Sequence, residues 1–404
     1  MASDSTGKEP ECEDFVIDIP LALEPAQWPE CCIYKIPKKL YEVNKEAYIP
    51  KLVSIGPFHH HRAELRNMEI EKLRYLREFC YRTRKNHEDL RKIIKDNEVK
   101  IRHCYSEECR VLNSKDFVKM ILLDAVFIIE LFWRNKYDEN DYIANKPWLA
   151  NGIRHDLILL ENQLPFFVLE NLYTFAVTDS TTTFLELSLD YFPSYGIQQP
   201  KLNIGEVKHF TDLIRYLFCL VPDLKPTGYL DNLYCATKLD MAGLKFKAVE
   251  DHRRLLEIKL PENSPPFGID ENTETLFRNL MALEQCHYPF NAYICNYILL
   301  LDYLIDTEKD VDLLVDKKII INHLGRNATV ATLINKLGYQ IVADKSCYYD
   351  LGQELNKHYN YPLNHILATL TNLYFRDFWR GTASVVGLIV LGFTFWSFLK
   401  PFAI

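Results

Sequence analysis

The feature that most constrains this chain is a nearly continuous apolar run, DLILLENQLPFFVLENL, at residues 156–172. Its centre carries three adjacent polar residues, Glu161, Asn162 and Gln163. Polar side chains inside such a run must reach solvent or be hydrogen-bonded in the core, because an unpaired buried amide costs roughly 1–3 kcal/mol. We therefore expect a buried hydrogen-bond network. We expect the run itself to form a central apolar helix that Pro165 either restarts or kinks.

The distribution of charge argues against one class of partner. The net charge is −8, and residues 1–30 hold eight acidic residues against Lys8, so the rest of the chain is near neutral. Nucleic-acid binding requires a basic surface that releases counterions, so we expect no nucleic-acid partner. The first 30 residues also contain four prolines and little apolar surface. This composition predicts an acidic disordered tail over 1–30.

A second apolar run, Lys119 to Trp133, predicts a buried core helix, because it is too short and too charged to cross a bilayer. Asp124 and Glu130 interrupt it, and buried carboxylates have raised pKa values that suit acid–base chemistry. Six residues apart, the two lie near opposite faces of a helix, which argues against a joint catalytic pair. We expect structural hydrogen bonds instead. Residues 62–115 are rich in charge and have apolar residues at helical spacing, which predicts charged amphipathic helices.

Three consecutive histidines, His59, His60 and His61, suggest a metal site, with Glu64 and Glu69 as further ligands. Adjacent side chains diverge on both helices and strands, so at most two of the three converge without a special turn. We therefore favour a polar start of a helix, with the preceding Gly-Pro-Phe as its turn. No metal or cofactor is predicted.

The C-terminal region carries the pattern of a membrane anchor. From Gly381 to Leu399 there are 19 residues without a charge, about 28 Å as a helix, and a hydrocarbon core is about 30 Å thick. Arg376 and Arg380 precede this segment and Lys400 follows it. The pattern predicts a single membrane-spanning helix with the body in the cytosol, and we expect it at the plasma membrane.

Two further segments complete the predicted architecture. Within residues 233–270 the stretch LKFKAVEDHRRLLEIKL alternates apolar and polar side chains, which predicts a small antiparallel hairpin. Residues 178–205 are rich in Ser, Thr and Pro, which predicts a surface loop that carries recognition or marks an internal boundary. The predicted fold is therefore mainly α. It has a multi-helix globular body over 31–375, a small antiparallel β insertion, and one C-terminal transmembrane helix over 381–399.

Four motifs occur in order along the chain: VSIGPFHHH at 53–61, DAVFIIELF at 124–132, LLENQLPFFVLE at 159–170 and FRNLMALEQC at 277–286. Together they resemble a plant family known as domain of unknown function 247, or uncharacterised protein family 0481. The motif residues, structural by expectation, are Gly56, Pro57, His59, His60, Asp124, Glu130, Glu161, Asn162, Gln163, Pro165 and Glu284.

The resemblance implies a plant-specific, helix-rich protein with a hydrophobic segment near its C-terminus. Some members of that family lie at loci for pollen self-incompatibility or sex determination, which suggests recognition. The sequence contains no GxxxxGK, GxSxG, GxGxxG or HExxH motif. We therefore expect a membrane-anchored recognition or signalling component that binds protein partners, including copies or relatives of itself. The alternative is an enzyme of an undescribed kind that uses Glu161, Asp124 or His59.

Overall fold

The computed structural model describes residues 25, 27–106, 112–138, 141–178, 181–192, 207–219, 225–247, 267–342, 344–374 and 378–399. Most of the predicted acidic tail over 1–30 lies outside these ranges, as do residues 179–180 and 193–205 of the predicted recognition loop. Within this part of the chain the fold is mainly helical, as predicted, with 17 α-helices and one two-stranded sheet.

The first eight helices form the N-terminal half, in which the others surround the long helix α5. They are α1 (Lys38–Val43), α2 (Asn67–Thr83), α3 (His87–Asp96), α4 (Glu98–His103), α5 (Ser114–Tyr137), α6 (Pro147–Asp156), α7 (Phe166–Ala176) and α8 (Phe184–Tyr191). Two short 3-10 helices, Lys45–Tyr48 and Ala63–Leu65, lie between α1 and α2.

The remaining helices follow the same pattern of short connected segments. They are α9 (Phe210–Phe218), α10 (Ala236–Met241), α11 (Thr273–His287), α12 (Tyr293–Leu304), α13 (Glu308–Asp316), α14 (Asn327–Leu337), α15 (Tyr349–Asn360), α16 (Pro362–Tyr374) and α17 (Phe378–Leu399). Side chains in α16 and α17 are described only at 362–370, 386–387 and 389–397.

Helix α5 is the centre of the fold because it is buried on all sides from Met120 to Phe132. Its start is capped by Asn113, whose side chain accepts a hydrogen bond from the Asp116 amide at 3.0 Å. Helices α2, α3, α7 and α8 pack around it. Phe132 of α5 stacks on Tyr191 of α8, with ring centroids 4.1 Å apart. Because α8 is packed in the core, the predicted loop over 178–205 is not a loop throughout.

The predicted central helix over 157–172 is wrong in its first half and confirmed in its second half, which is helical after Pro165. Helix α6 ends at Asp156, α7 begins at Phe166, and the residues between them form buried turns and irregular backbone. Pro165 is the residue just before α7, with φ −60° and ψ 130°. An apolar run shows that a segment is buried but does not by itself distinguish a helix from buried irregular chain. The three polar side chains therefore lie in a buried connection between two helices.

An N-terminal strap, residues 31–58, lies across this connection. Prolines at 37, 50 and 57 interrupt helix formation, so much of the strap is extended. The amides of Cys32 and Ile33 both donate to the Cys104 carbonyl at 2.9 Å, and Ser106 N donates to Ile33 O. Strap residues share a small core cluster with Leu160 and with α11.

The predicted antiparallel hairpin within 233–270 is wrong. The sheet consists of β1 (Phe267–Ile269) and β2 (Ile320–Asn322), which pair in parallel with Phe267 opposite Ile320. Parallel strands need a long crossover connection, and here α11, α12 and α13 supply it. Residues 248–266, half of the segment in which the hairpin was predicted, lie outside the described ranges.

The predicted membrane-spanning helix between Gly381 and Leu399 is also wrong. Helix α17 covers this segment, but no helix among the described residues is long and apolar enough to cross a membrane. The predicted plasma-membrane location is not tested by the fold and stays a prediction.

Candidate functional site

The side chain of Gln163 forms hydrogen bonds with backbone groups of the connection between α6 and α7. Its Nε2 donates to the carbonyl oxygens of Leu157 at 2.6 Å and Leu159 at 2.8 Å, and its Oε1 accepts from the Phe210 amide at 2.9 Å. The side chain is fully buried. Buried irregular backbone has no helical partners for its polar groups, so a side-chain amide has to supply them. Gln163 therefore joins this connection to the start of α9.

The side chain of Asn162 forms hydrogen bonds with backbone groups of the strap. Its Oδ1 accepts from the Ile55 amide at 2.7 Å, and its Nδ2 donates to the carbonyl oxygens of Val53 at 3.0 Å and Asp156 at 2.9 Å. The Asp156 carboxylate in turn accepts hydrogen bonds from three successive strap amides, Lys51, Leu52 and Val53. The side chains of Asn162 and Asp156 thus fix the end of the strap through its backbone atoms.

Glu161 reaches the beginning of the strap. Its Oε1 accepts from the Ile36 amide at 2.8 Å, and its Oε2 lies 3.3 Å from His59 Nε2 without the alignment of a hydrogen bond. Arg62 Nε donates to the other ring nitrogen of His59, Nδ1, at 3.2 Å, so in the neutral ring Nε2 carries the proton. His59 and Glu161 are only 5% and 3% exposed, so protein atoms cover most of both groups.

Asp124 has different partners from Glu161 and His59. Its carboxylate lies 2.5 Å from Lys72 Nζ and accepts from the Gly56 amide at 2.8 Å, while Lys72 also donates to the Ser54 carbonyl. Burial raises the pKa of Asp124 to about 6 even with Lys72 beside it. Burial also disfavours the charged Lys72, but Asp124 and Glu69 outweigh it and raise its pKa. The pair is therefore ionised at neutral pH.

Glu130 and Glu284 each bind arginine in separate parts of the core. Glu130 accepts from Arg82 at 2.7 Å and from Arg134 at 2.9 Å. Glu284 accepts from Arg215 Nε at 3.0 Å and from the first amides of α12. Burial raises the pKa of Glu284. Neither carboxylate lies with Glu161, so the structure does not bring the acidic motif residues together.

The histidine run does not converge on one point. His59 faces Glu161, whereas the ring of His60 meets that of His61 at 5.3 Å, edge to face, and burial lowers the pKa of His60. Pro57 lies half-buried between Gly56 and Phe58. Among the described residues, no group of three or more His, Cys, Asp or Glu side chains is placed to hold a metal ion.

An open groove of about 590 Å³ lies beside Glu161 and His59, and we call it the strap groove. Its wall is mostly strap residues, with three cationic side chains and three aromatic rings. The lining residues are Tyr34, Lys35, Ile36, Pro37, Lys38, Tyr41, Phe58, His59, Arg62, Ser106 and Glu161.

The groove presents positive charge and aromatic surface to a ligand. The Lys35 ammonium lies 5.3 Å from the centroid of the Phe58 ring, and the Lys35 amide donates to Ser106 Oγ. Within the described residues neither Lys35 nor Arg62 is paired with a carboxylate. Glu161, the acidic member of the lining, has one oxygen bound to Ile36 and is almost fully covered. This arrangement suits binding of anionic groups better than proton transfer to a substrate.

Sequence reasoning missed the cations that define the groove. Lys35 and Lys38 lie in the strap segment IYKIPKKLY, where lysines alternate with aromatic and apolar residues, and Arg62 follows the histidines. This alternation, beside a proline-punctuated segment, is the one sequence signal for the groove. Nothing in the sequence shows that Arg62 and the strap lysines meet.

Fold and site together define a mainly helical protein whose buried polar motif holds a strap that carries a basic groove. The model of the family described as plant protein of unknown function, domain of unknown function 247, matches residues 33–393. The chain belongs to this family, and the resemblance predicted from its four motifs is confirmed.

Two similar proteins come from Arabidopsis thaliana. UPF0481 protein At3g47200 is 29% identical over 415 residues, which cover 92% of this chain and 86% of that protein. Putative UPF0481 protein At3g02645 is 23% identical over 470 residues, which cover 89% and 88% of the two chains. No solved structure matches this chain.

Proposed function

We propose that this chain is a protein-recognition module that binds acidic segments of its partners in the strap groove. The observation that carries this proposal is the composition of the groove, where Lys35, Lys38 and Arg62 face the same space and the acidic lining residue is already engaged. Charge-assisted hydrogen bonds from lysine and arginine to carboxylates are the stronger hydrogen bonds in proteins. A segment rich in Asp and Glu fits these donors.

The aromatic part of the groove adds a second requirement for the ligand. Tyr34, Tyr41 and Phe58 line the same space as the cations. Aromatic rings provide a large apolar surface at low conformational cost, which favours ligands whose acidic residues are interspersed with apolar ones. The volume of about 590 Å³ falls within the range of ordinary ligand pockets and accommodates a few side chains of a peptide.

Preorganisation also supports binding at this place. Motif side chains fix the strap backbone at Ile36 and Ile55, so the groove wall does not have to be ordered when a ligand arrives. A preordered site loses less conformational entropy on binding. Copies and relatives of this chain belong among the proposed partners. A role in signalling rests on the family resemblance alone and stays a prediction.

The test is a binding titration with a synthetic probe. A short fluorescein-labelled peptide of Glu, Asp, Phe and Ile residues is titrated with the full chain and followed by fluorescence anisotropy. We expect saturable binding that weakens as salt is raised, because screening reduces the attraction between exposed charges. A matched peptide with Gln and Asn in place of the acids should bind at least about tenfold more weakly.

Variants of the chain locate the binding. Lys35→Glu and Arg62→Glu should each weaken binding of the acidic peptide by about tenfold or more, because each reverses a charge that lines the groove. Lys92→Glu, at an exposed position of α3, is the matched control and should leave the affinity within about twofold. If all three variants bind the acidic peptide equally well, the groove is not the site and the proposal fails.

A further inference from the structure

We propose that the chain's own acidic segment, residues 1–24, occupies the strap groove and competes there with partner segments. This inference rests on the proposed function, because it names an intramolecular ligand for the same site. Residues 1–24 hold seven acidic side chains against Lys8, and the motif EDFVIDI at 13–19 alternates acidic with apolar residues. This is the composition that the cations and rings of the groove select.

The chain approaches the groove where this acidic segment ends. Gln27 Nε2 donates to the Tyr34 hydroxyl at 2.9 Å, and Tyr34 lines the groove. Trp28 stacks on His103, with ring centroids 3.9 Å apart and planes 6° from parallel. These contacts hold Gln27 and Trp28, which follow the acidic segment in the chain, and place Gln27 against a residue of the groove wall.

Length and tethering make the contact favourable. Twenty-four residues span up to roughly 80 Å when extended, so reach does not limit access to a groove that adjoins residue 27. Tethering a ligand by a short flexible connection gives an effective concentration on the order of millimolar. A weak attraction between the acidic residues and the groove then suffices to fill it for much of the time. A partner segment binds only after it displaces this intramolecular ligand.

The contact explains where the charge of the chain is located. Residues 1–30 carry nearly all of the net charge of −8, and the rest of the chain is near neutral. Three groove cations, Lys35, Lys38 and Arg62, carry the opposite charge to this acidic segment. Attraction between them is screened by salt, so the competition we propose weakens at high ionic strength.

The experiment uses the full chain with Glu11→Gln, Glu13→Gln and Asp14→Asn together. The readout is the affinity for the fluorescein-labelled acidic peptide described above. We expect the triple variant to bind this peptide about tenfold more tightly than the wild-type chain, because the competing segment has lost three charges. The matched control carries Asp96→Asn, Asp316→Asn and Glu354→Gln at exposed positions of the body and should bind like wild type.

The outcomes separate this inference from the proposed function. If the triple variant and the wild type bind the peptide with equal affinity, the intramolecular contact is wrong and the proposed function stands. If neither binds it, the proposed function fails and the inference falls with it. If the gain in affinity depends on protein concentration, the acidic segment belongs to the groove of a second copy, and the intramolecular contact is overturned.

Discussion

Gly56 lies directly against the backbone of Gln163. A Cβ atom on Gly56 would stand 2.6 Å from the Gln163 carbonyl oxygen, and Gly56 has φ +72°, a conformation that other residues rarely adopt. The strap therefore meets the central motif at a point where no side chain fits. This contact explains why a glycine occurs in the GPF turn of the strap.

Replacing Gly56 by alanine should lower the free energy of unfolding by about 2–5 kcal/mol, because the left-handed backbone and the close contact both add cost. Chemical denaturation measures this change. Gly325→Ala is the matched control, since Gly325 has φ +87° but nothing within 4 Å of its Cβ position, and its cost should stay near about 1–2 kcal/mol. Equal costs at the two positions would contradict the contact.

Asn162→Leu should destabilise the chain by about 2–4 kcal/mol. The substitution leaves the Ile55 amide and the carbonyl oxygens of Val53 and Asp156 without their buried partner. The measurement is again denaturant unfolding. Asn151→Leu, at an exposed position on α6, should change stability by less than about 0.5 kcal/mol. A variant at position 162 that unfolds like wild type would show that the network contributes nothing to stability.

Lys72→Met should cost about 3–5 kcal/mol, because it leaves the buried Asp124 carboxylate uncompensated. Adding Asp124→Leu should recover part of that loss, so the double-mutant cycle should show a clear coupling energy. The exposed pair Lys136 and Asp190, 2.6 Å apart, serves as the comparison and should couple by less than about 1 kcal/mol. Additive effects of the two core substitutions would argue against the buried ion pair.

His209 should make the fold sensitive to acid. Its Nε2 donates to the Cys32 carbonyl and its Nδ1 accepts from the Asp212 amide, which requires the neutral ring. Burial lowers the pKa of His209 from 6.5 to about 4, although Asp212 opposes the shift. The folded pKa lies below the unfolded one, so the unfolded state binds more protons in this window. Stability is therefore lost as pH falls from about 6.5 to about 4, by roughly 3 kcal/mol.

The check is the free energy of unfolding measured at several pH values across that window. His209→Gln removes the titrating ring and should flatten the pH dependence by roughly 3 kcal/mol, whatever its cost at neutral pH. His87→Gln, at an exposed position at the start of α3, should keep the pH dependence of the wild type. A His209→Gln chain with an unchanged pH profile would rule out His209 as the source.

The sequence predicts a structural element correctly where its apolar content and its length favour the same secondary structure. The run that became α5 was identified as a buried helix because its length, apolar content and lack of proline all favour one structure. The run at 156–172 is predicted to be buried, but its backbone conformation does not follow from the sequence. Pro165 and three polar residues are compatible both with a kinked helix and with irregular chain. Only the hydrogen bonds of Asn162 and Gln163 to backbone distinguish the two.

Features that depend on distant residues could not be predicted. Strands β1 and β2 have three residues each and are far apart in sequence. No local pattern of apolar and polar residues therefore predicts their parallel pairing. The groove joins Lys35 to Arg62 and Ser106, and no spacing rule connects these positions. The membrane-spanning helix was predicted from an uncharged segment and the basic residues on both sides of it, but no described helix is long and apolar enough to cross a membrane.

Glu161 and Asn162 of the buried motif hold the strap in place and thereby form the groove. Native-state hydrogen exchange of the Ile36 and Ile55 amides, which donate to Glu161 and Asn162, tests it most directly. The account predicts that both amides exchange only on global unfolding in the wild-type chain. In Glu161→Ala, Ile36 should lose protection and Ile55 should keep it. Fast exchange of Ile36 and Ile55 in the wild-type chain would contradict the claim.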